Sequence, residues 1–160
     1  LIGITQKQIV KSLREFKGIE HRLEYVRTIN KIEFINDSKA TNINSVIVAI
    51  NTYNKPIVLI LGGLNKGANF RLLLPHIKSS HVRDIVSYGD AGGQINTALG
   101  DAVRSVQVTD LSSAVKKAQL MAAPGDIVLL SPGCASYDEF SNFEERGNHF
   151  KSIIKNIAIS

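Results

Sequence analysis

The sequence predicts an α/β fold, a Rossmann-like three-layer αβα domain with a mostly parallel sheet. Two observations predict it: β-rich and helical segments alternate from residue 23 onward, and residues 57–61 form a continuous apolar run. Alternating strands and helices need crossover connections, which place helices on both faces of a parallel sheet. A strand that is apolar at every position is typical of a sheet covered on both faces.

The first element is a helix predicted over residues 5–17. Thr5 and Gln8 have the spacing of a capping box, and Gly18 provides a stop signal. Three apolar residues are expected to share one face: Ile9, Leu13 and Phe16. Because this helix precedes the alternating pattern, it is a candidate for the end of a preceding domain.

Two β-rich segments, residues 23–29 and 32–36, are separated by Asn30 and Lys31, which predicts an antiparallel hairpin at one edge of the sheet. Apolar residues at helical spacing predict a helix over residues 42–53. The remaining elements are predicted as strand 57–61, helix 70–77, strand 84–88, helix 92–99, strand 103–108, helix 111–122, strand 127–131 and helix 139–157.

Composition and charge exclude several classes of protein. The chain has 160 residues, and 19 Lys and Arg against 14 Asp and Glu give a formal charge of +5. No apolar run approaches the ~20 residues that a membrane span needs, so no membrane partner is expected. The basic residues are scattered and are not interleaved with aromatic residues, which argues against a nucleic-acid partner.

A cytoplasmic location is expected because the single cysteine, Cys134, cannot form an internal disulfide and no secretory leader precedes residue 20. The chain begins with Leu1 rather than Met, so we expect it to be part of something longer.

Three polar loops follow predicted strands, where ligands bind in open α/β sheets. The first, residues 36–42, brings an acid, a lysine, hydroxyls and amides to a helix N-terminus. Such an end favours anions, and Lys39 and Thr41 can add a cation and a hydroxyl donor. The alternative interpretation is that Ser38 or Thr41 only caps the helix.

The second loop, residues 62–70, has glycines at the spacing of a P-loop, at Gly62 and Gly67. Ala68 and Asn69 follow where a P-loop has Lys and then Ser or Thr, so a triphosphate cradle of that type is excluded. No G-x-G-x-x-G is present either, which argues against a dinucleotide site. Lys66 can project a cation over the edge of the sheet, and the alternative is a tight turn with an exposed lysine.

The third loop, residues 131–138, contains Cys134, which suggests a thiol nucleophile, but a small buried hydrophobic residue is the favoured interpretation. Ser136 and Asn142 are better candidates for binding donors. Arg146, one turn beyond Asn142, can bind a carboxylate or phosphate through two parallel hydrogen bonds. No metal site is predicted, because C-x-x-C and H-x-x-x-H spacings are absent.

Four motifs together resemble one family. They are His-Arg-Leu-Glu at 21–24, Asn-Asp-Ser-Lys-Ala-Thr-Asn at 36–42, Gly-Gly-x-x-Lys-Gly-Ala at 62–68, and Ser-Pro-x-Cys-Ala-Ser-x-Asp-x-Phe-x-Asn-Phe-Glu-x-Arg-Gly at 131–147. Their order and composition resemble the C-terminal domain of the Mur ligases, in the branch that adds D-glutamate. The resemblance implies that residues 1–17 are the tail of a central ATPase domain and residues 18–160 the C-terminal domain.

The resemblance implies a reaction that uses ATP and Mg²⁺ to phosphorylate the terminal carboxylate of UDP-N-acetylmuramoyl-L-alanine. The amine of D-glutamate then attacks the acyl phosphate, giving ADP, phosphate and a peptidoglycan precursor. The P-loop and most Mg²⁺ ligands would belong to the central domain, so this chain without its N-terminal and central domains would be inactive. The alternative is a stand-alone module that binds small anions, either a dicarboxylate or a nucleotide.

The resemblance also implies roles for individual residues. One carboxylate of D-glutamate would be held by Thr41 and Lys66, and the other by Ser136, Asn142 and Phe143. Arg22 and Lys39 would face nucleotide phosphates and Asp37 the ribose, while His21, Ser38 and Arg146 would line the site. The sequence departs from the usual family pattern at three positions that are not proposed ligands: Ile43, Asn69 and Gly133.

Overall fold

The computed structural model describes residues 3–15 and 18–158 of the chain. The helices are α1 (Gln6–Glu15), α2 (Ile43–Asn51), α3 (Leu74–Ser79), α4 (Gly92–Leu99), α5 (Leu111–Met121) and α6 (Phe143–Lys155), and a 3₁₀ helix (Phe70–Leu73) leads into α3. The strands are β1 (Glu24–Ile29), β2 (Ile32–Asn36), β3 (Ile57–Gly62), β4 (Val82–Tyr88), β5 (Arg104–Gln107) and β6 (Ile127–Gly133).

The six strands form one sheet in the order β1-β2-β6-β3-β4-β5. Only β1 runs antiparallel to its neighbour, and the other four pairings are parallel. The predicted α/β fold with an antiparallel edge is therefore confirmed. Asn30 and Lys31 both have positive φ, 50° and 65°, and so form the tight hairpin turn expected between β1 and β2.

Side chains of the central strands alternate between two hydrophobic clusters, one on each face of the sheet. In β3, Ile57, Leu59 and Leu61 pack with α2, α3 and α4, whereas Val58 and Ile60 pack with α5 and α6. Every residue of β3 is buried. The continuous apolar run is explained by this arrangement, because both faces of the strand are covered by helices.

The structure corrects the predicted start of the last helix, which begins at Phe143 rather than at residue 139. The N–H groups of Glu139 and Phe140 both donate to the carbonyl of Ser136, which forms a turn instead. Asn142 then caps α6 by accepting a hydrogen bond from the N–H of Glu145. A local side-chain acceptor therefore sets the helix start.

The capping box predicted at the first helix is confirmed. The N–H of Thr5 donates to Gln8 Oε1 at 2.8 Å, and the N–H of Gln8 donates to Thr5 Oγ1 at 3.3 Å. The predicted end of this helix at residues 16 and 17, and the side chain of Leu13, lie outside the described residues. Among the helices that the structure describes, none has the length and apolar character needed to cross a membrane.

The amino ends of the parallel strands are joined by an ion cluster. Asp84 is buried, accepts a hydrogen bond from Arg83 Nε at 2.8 Å, and forms an ion pair with Arg104 Nε at 2.7 Å. Arg83 also contacts Asp126, just before β6, at 2.9 Å. We call it the amino-end ion cluster. It lies at the opposite end of the parallel strands from the polar loops.

Candidate functional site

The three polar loops lie together at the carboxyl ends of β2, β3 and β6, and are named loop A (residues 36–42), loop B (residues 62–70) and loop C (residues 131–138). Leu64 and Ala135 exchange two backbone hydrogen bonds, at 2.9 and 3.1 Å, which join loop B to loop C. The N–H of Gly133 donates to the carbonyl of Ala40 at 2.8 Å, which joins loop C to loop A. The loops therefore form one continuous surface.

The paired glycines of loop B are required by close packing. Gly62 and Gly63 have φ values of 151° and 115°. A Cβ on Gly63 would lie 2.3 Å from the carbonyl oxygen of Ala135, and a Cβ on Gly62 would lie 2.3 Å from that of Tyr88. The glycines thus allow loop B to approach β4 and loop C, and this explains them without a phosphate cradle.

A first cavity, of about 410 Å³, contains the residues assigned to the nucleotide from the sequence: Arg22, Asp37 and Lys39. Asn42, Asn44 and Val48, from the start and outer face of α2, form its far wall. Arg22 and Lys39 are exposed, whereas Asp37 is buried. The cavity therefore presents two cations at its surface and one carboxylate at its base.

The carboxylate of Asp37 is held by two hydrogen bonds. Its Oδ1 accepts from the N–H of Leu23 at 3.2 Å, and its Oδ2 accepts from Ser131 Oγ at 2.8 Å. Burial raises the pKa of Asp37 to about 6, against the lowering effect of these bonds and of the Arg22 charge. The group is therefore mainly ionised at pH 7, and is easily protonated just below that pH.

The backbone on both sides of Arg22 is strained. His21 and Leu23 have φ values of 63° and 45°, which are unusual for residues other than glycine. The N–H of His21 donates to Glu24 Oε2 at 2.9 Å, and Asn36 Nδ2 donates to the same oxygen at 2.9 Å. The carbonyl of His21 accepts from the N–H of Lys39 at 3.0 Å. These bonds fix the turn that carries Arg22.

His21 supports this turn from inside the protein. Its side chain is buried, with Nδ1 facing Asn36 Nδ2 at 3.0 Å and the ring edge-on to Phe143. Burial, assisted by the positive charge of Lys151, lowers the pKa of His21. The neutral ring is therefore favoured, and the side chain does not line the first cavity.

A second cavity, of about 440 Å³, brings together Thr41 of loop A and Lys66 of loop B. Gly133 and Cys134 of loop C also line it. The Lys66 Nζ lies 4.6 Å from the centroid of the Tyr137 ring, a cation–π contact that joins loops B and C. This cavity shares Asn42 and Asn44 with the first, so the two adjoin at the start of α2.

The other three residues assigned to D-glutamate from the sequence line neither cavity. Ser136 is buried, and Asn142 is the N-cap of α6. The ring centroid of Phe143 lies 5.3 Å from Lys39 Nζ, and its carbonyl accepts a hydrogen bond from Ser38 Oγ at 2.8 Å. Phe143 is therefore beside the residues assigned to the nucleotide rather than beside Lys66.

Arg146 and Ser38 form a buried junction beneath the loops. Arg146 is fully buried and donates through Nε to Ser38 Oγ at 3.0 Å, through one terminal nitrogen to the Ser38 carbonyl at 2.8 Å, and through the other to the Cys134 carbonyl at 3.1 Å. This corrects the expectation that Arg146 can bind a ligand carboxylate directly, because the side chain is fully buried and each of its three nitrogens donates to a protein oxygen. It joins loop A to loop C instead.

Cys134 is buried in the wall of the second cavity. Burial raises the pKa of its thiol to about 12. A thiol with that pKa is not ionised at neutral pH, and the thiolate is the nucleophilic form. The geometry therefore agrees with a small buried hydrophobic residue and not with a nucleophile.

Several residues that shape the site were missed by sequence reasoning: Glu24, Asn65, Gln94, Ser131 and Tyr137. Asn65 carries a usable signal, because Asn before Lys-Gly is typical of a side-chain-closed turn. Gln94, Ser131 and Tyr137 act through contacts between distant parts of the chain, for which the sequence offers no local signal, whereas Glu24 accepts from the N–H of His21 three residues away. Within the described ranges, no group of three or more His, Cys, Asp or Glu residues could hold a metal ion.

The fold and the two adjoining cavities define an α/β domain with exposed cations, Arg22, Lys39 and Lys66, at the carboxyl ends of its strands, where ligands bind in open α/β sheets. Residues 21–134 match the family described as Mur ligase, glutamate ligase domain. The chain therefore belongs to the Mur ligase family.

Named relatives agree with this assignment. The chain is 43% identical over 156 residues to a UDP-N-acetylmuramoylalanine--D-glutamate ligase of Chloroherpeton thalassium, over 98% of this chain and 33% of that protein. It is 44% identical over 152 residues to a ligase of the same name from Bacillus mycoides, over 94% of this chain and 33% of that protein. The chain thus spans about a third of the length of these relatives.

Solved structures share the fold at low sequence identity. UDP-N-acetylmuramate-alanine ligase MurC from Thermotoga maritima matches with a TM-score of 0.67 and 15% identity, over 96% of this chain and 34% of that chain. A bifunctional folylpolyglutamate synthase/dihydrofolate synthase from Yersinia pestis, in complex with AMPPNP and Mn ion, matches with a TM-score of 0.68 and 15% identity, over 96% of this chain and 35% of that chain.

Proposed function

We propose that the chain is the domain of a D-glutamate-adding Mur ligase that binds D-glutamate and closes over ATP during synthesis of a peptidoglycan precursor. One observation carries the proposal: a cavity with Thr41 and Lys66 adjoins a cavity with Arg22, Asp37 and Lys39. Such an arrangement suits a ligase that must bring an amino acid next to a nucleotide-activated carboxylate. The names of the relatives support the same choice of substrate.

In this proposal each group has a definite task. Lys66 and Thr41 bind a carboxylate of D-glutamate, and charge-assisted hydrogen bonds of this kind contribute about 1.5–3 kcal/mol each. Arg22 and Lys39 neutralise phosphate oxygens, and the ionised Asp37 accepts a hydrogen bond from a ribose hydroxyl. Ser136, Asn142 and Phe143 are assigned to the other carboxylate. Reaching it requires that D-glutamate extend from the second cavity toward loop C and the start of α6.

ATP fits the residues of the first cavity, since cations and a buried carboxylate suit phosphates and a ribose. Mg²⁺ does not fit this chain by itself, because the described residues contain no metal-binding group of side chains. We therefore assign Mg²⁺ to the other domains of the proposed ligase. UDP-N-acetylmuramoyl-L-alanine would be bound by those domains as well, in the cytoplasm.

Residues 1–17 are assigned to the end of the preceding ATPase domain, and residues 18–160 to the C-terminal domain. In the described part of this segment, Ile4, Ile9 and Val10 are 58%, 49% and 41% exposed. An amphipathic helix with its apolar residues in solvent would be stabilised by a partner surface. The domain preceding this one would provide that surface.

The activity is tested by measuring ADP release in the presence of ATP, Mg²⁺, D-glutamate and UDP-N-acetylmuramoyl-L-alanine. We expect no turnover by the 160-residue chain, since catalysis needs groups positioned by several domains. A longer chain that includes the upstream reading frame should turn over. Turnover by the 160 residues alone, or an upstream frame without G-x-x-x-x-G-K-[ST], would contradict the proposal and favour a stand-alone anion-binding module.

Substrate binding is tested by NMR titration of the chain with D-glutamate. We expect a Kd of about 1 mM or weaker, because much of the closed site is absent and 1 mM corresponds to only about −4 kcal/mol. Lys66→Ala and Ser136→Ala should each weaken binding further. Lys116→Ala, the same charge change at an exposed lysine of α5, is the matched control. Equal affinity in the parent chain, Lys66→Ala and Lys116→Ala would show that the assigned site is wrong.

A further inference from the structure

The tip of loop B is closed by the side chain of Asn65. Its Oδ1 accepts a hydrogen bond from the N–H of Ala68 at 2.7 Å, and its Nδ2 donates to the Ala68 carbonyl at 3.3 Å. Between them lie Lys66 and Gly67, whose φ of 89° lets the chain reverse direction. The backbone that carries Lys66 is therefore held in one tight turn by a single amide.

The same amide ties this turn to α4. Because Oδ1 of Asn65 accepts from a backbone N–H, its Nδ2 is the atom that faces α4, and it donates to Gln94 Oε1 at 2.6 Å. Helix α4 is anchored in the core by Ile95 and Leu99, which are fully buried. The Asn65–Gln94 bond thus connects an exposed loop to a fixed part of the molecule.

Free space lies behind loop B. A third cavity, of about 460 Å³, is lined by loop B, the 3₁₀ helix and α4, and its walls include Ala68, Asn69, Gln94 and Thr97. Loop B is held near its ends by the hydrogen bond from the N–H of Ala91 to the Gly63 carbonyl at 2.9 Å and by the buried side chain of Phe70, whereas Lys66 and Gly67 at its tip are exposed. The Asn65–Gln94 bond therefore ties the exposed tip that carries Lys66 to α4.

We propose that Asn65 and Gln94 are positioning residues for Lys66, holding its ammonium beside the Tyr137 ring where a carboxylate of D-glutamate would be bound. The inference rests on the proposed function for the choice of ligand, but the position of the Lys66 ammonium relative to the Tyr137 ring can be measured without a ligand. Tyr137 provides the readout, because its ring lies 4.6 Å from Lys66 Nζ and shields the protons next to that nitrogen.

The first experiment measures the NMR shift of the Lys66 Cε protons in the ligand-free chain. Tyr137→Leu removes the ring and identifies the shift that the ring causes. We expect Asn65→Ala and Gln94→Leu to move the signal toward its position in Tyr137→Leu. Thr97→Val is the matched control, since Thr97 lies one turn further along α4 and lines the same cavity. A Lys66 signal that stays unchanged in Asn65→Ala would overturn the proposal.

The second experiment is a D-glutamate titration of the same variants. Loss of one hydrogen bond of this kind corresponds to about a threefold to tenfold increase in Kd. Asn65→Ala should show this increase in Kd for D-glutamate. The Asn65→Ala/Gln94→Leu double variant should bind D-glutamate no more weakly than Asn65→Ala. Thermal unfolding should change little, because Gln94 is exposed and Asn65 half-buried.

The two proposals fail in different ways. If Lys66→Ala weakens D-glutamate binding while Asn65→Ala and Gln94→Leu do not, the positioning role is wrong and the proposed function stands. If Lys66→Ala also leaves binding unchanged, the assigned ligand is wrong. The Lys66 proton shift then decides the positioning role by itself.

Discussion

Asp37 is a carboxyl group whose charge state depends on the fold, because burial raises its pKa. It is buried, and no cation is within ion-pair distance of it among the described residues. A raised pKa means that the folded state favours the protonated form. Below the ordinary pKa of 3.8, this residue's contribution to stability is fully present, and it is lost as the pH rises through about 6.

Asp37→Asn is expected to remove that dependence. The free energy of unfolding of the variant, relative to the parent chain, should rise between pH 4 and 7, by about 3 kcal/mol at most. Urea unfolding of both chains at several pH values measures this difference in the free energy of unfolding. The titration of other groups cancels in the difference because both chains contain those groups. A difference that is the same at pH 4.5 and pH 7.5 would contradict the raised pKa. Since Asp37 is also assigned to the ribose, the variant should bind nucleotide more weakly.

At the scale of elements, α6 packs against the strained turn around Arg22. A Cβ on Gly147, in the second turn of α6, would lie 2.2 Å from His21 Nδ1. Replacing Gly by Ala inside a helix ordinarily stabilises it by about 0.5–1 kcal/mol. Here the imidazole would have to move, and it is held by the network of Asn36 and Glu24.

Gly147→Ala is therefore expected to destabilise the chain by about 1–3 kcal/mol, as overpacking does. Gly93→Ala is the control, because a Cβ on that glycine of α4 would meet nothing closer than 3.8 Å. Chemical unfolding of both variants gives the comparison. If Gly147→Ala were as stable as Gly93→Ala, the close contact between α6 and the turn could not be fixing the turn.

A second contact between elements depends on the side chain of Arg146. Removing its hydrogen bonds leaves the buried carbonyls of Ser38 and Cys134 without these donors. Arg146→Met keeps much of the side-chain volume, and we expect the free energy of unfolding to fall by about 2–5 kcal/mol. Ser38→Ala, which removes one acceptor of Arg146, should cost less. An Arg146→Met variant as stable as the parent would show that loops A and C hold together without this junction.

For the whole molecule, the order and type of the elements follow from the sequence because apolar periodicity records which faces are covered. The run in β3 and the helical spacing in α2 are examples. The start of α6 does not follow in this way. Phe140 fits the helical apolar pattern, but its N–H bonds to Ser136 and it lies before the cap at Asn142.

The candidate site could be predicted only in part. Loops A, B and C are recognisable because polar residues and glycines follow buried strands. The sequence does not say that Lys66 is tied to Gln94, since those residues are far apart along the chain. Arg146 illustrates the same limit: a charged residue in a polar motif suggests a ligand contact, whereas the structure gives it buried carbonyl partners.

The amino-end ion cluster has a practical consequence. The parallel strands carry this cluster at their amino ends and both cavities at their carboxyl ends. A strand of six residues separates the two ends by about 20 Å. Arg104, 64% exposed in its side chain, marks the surface there. A fluorophore or surface tether attached near this end of the sheet would leave loops A, B and C facing solution, so the proposed binding of D-glutamate and nucleotide can be tested on the immobilised domain.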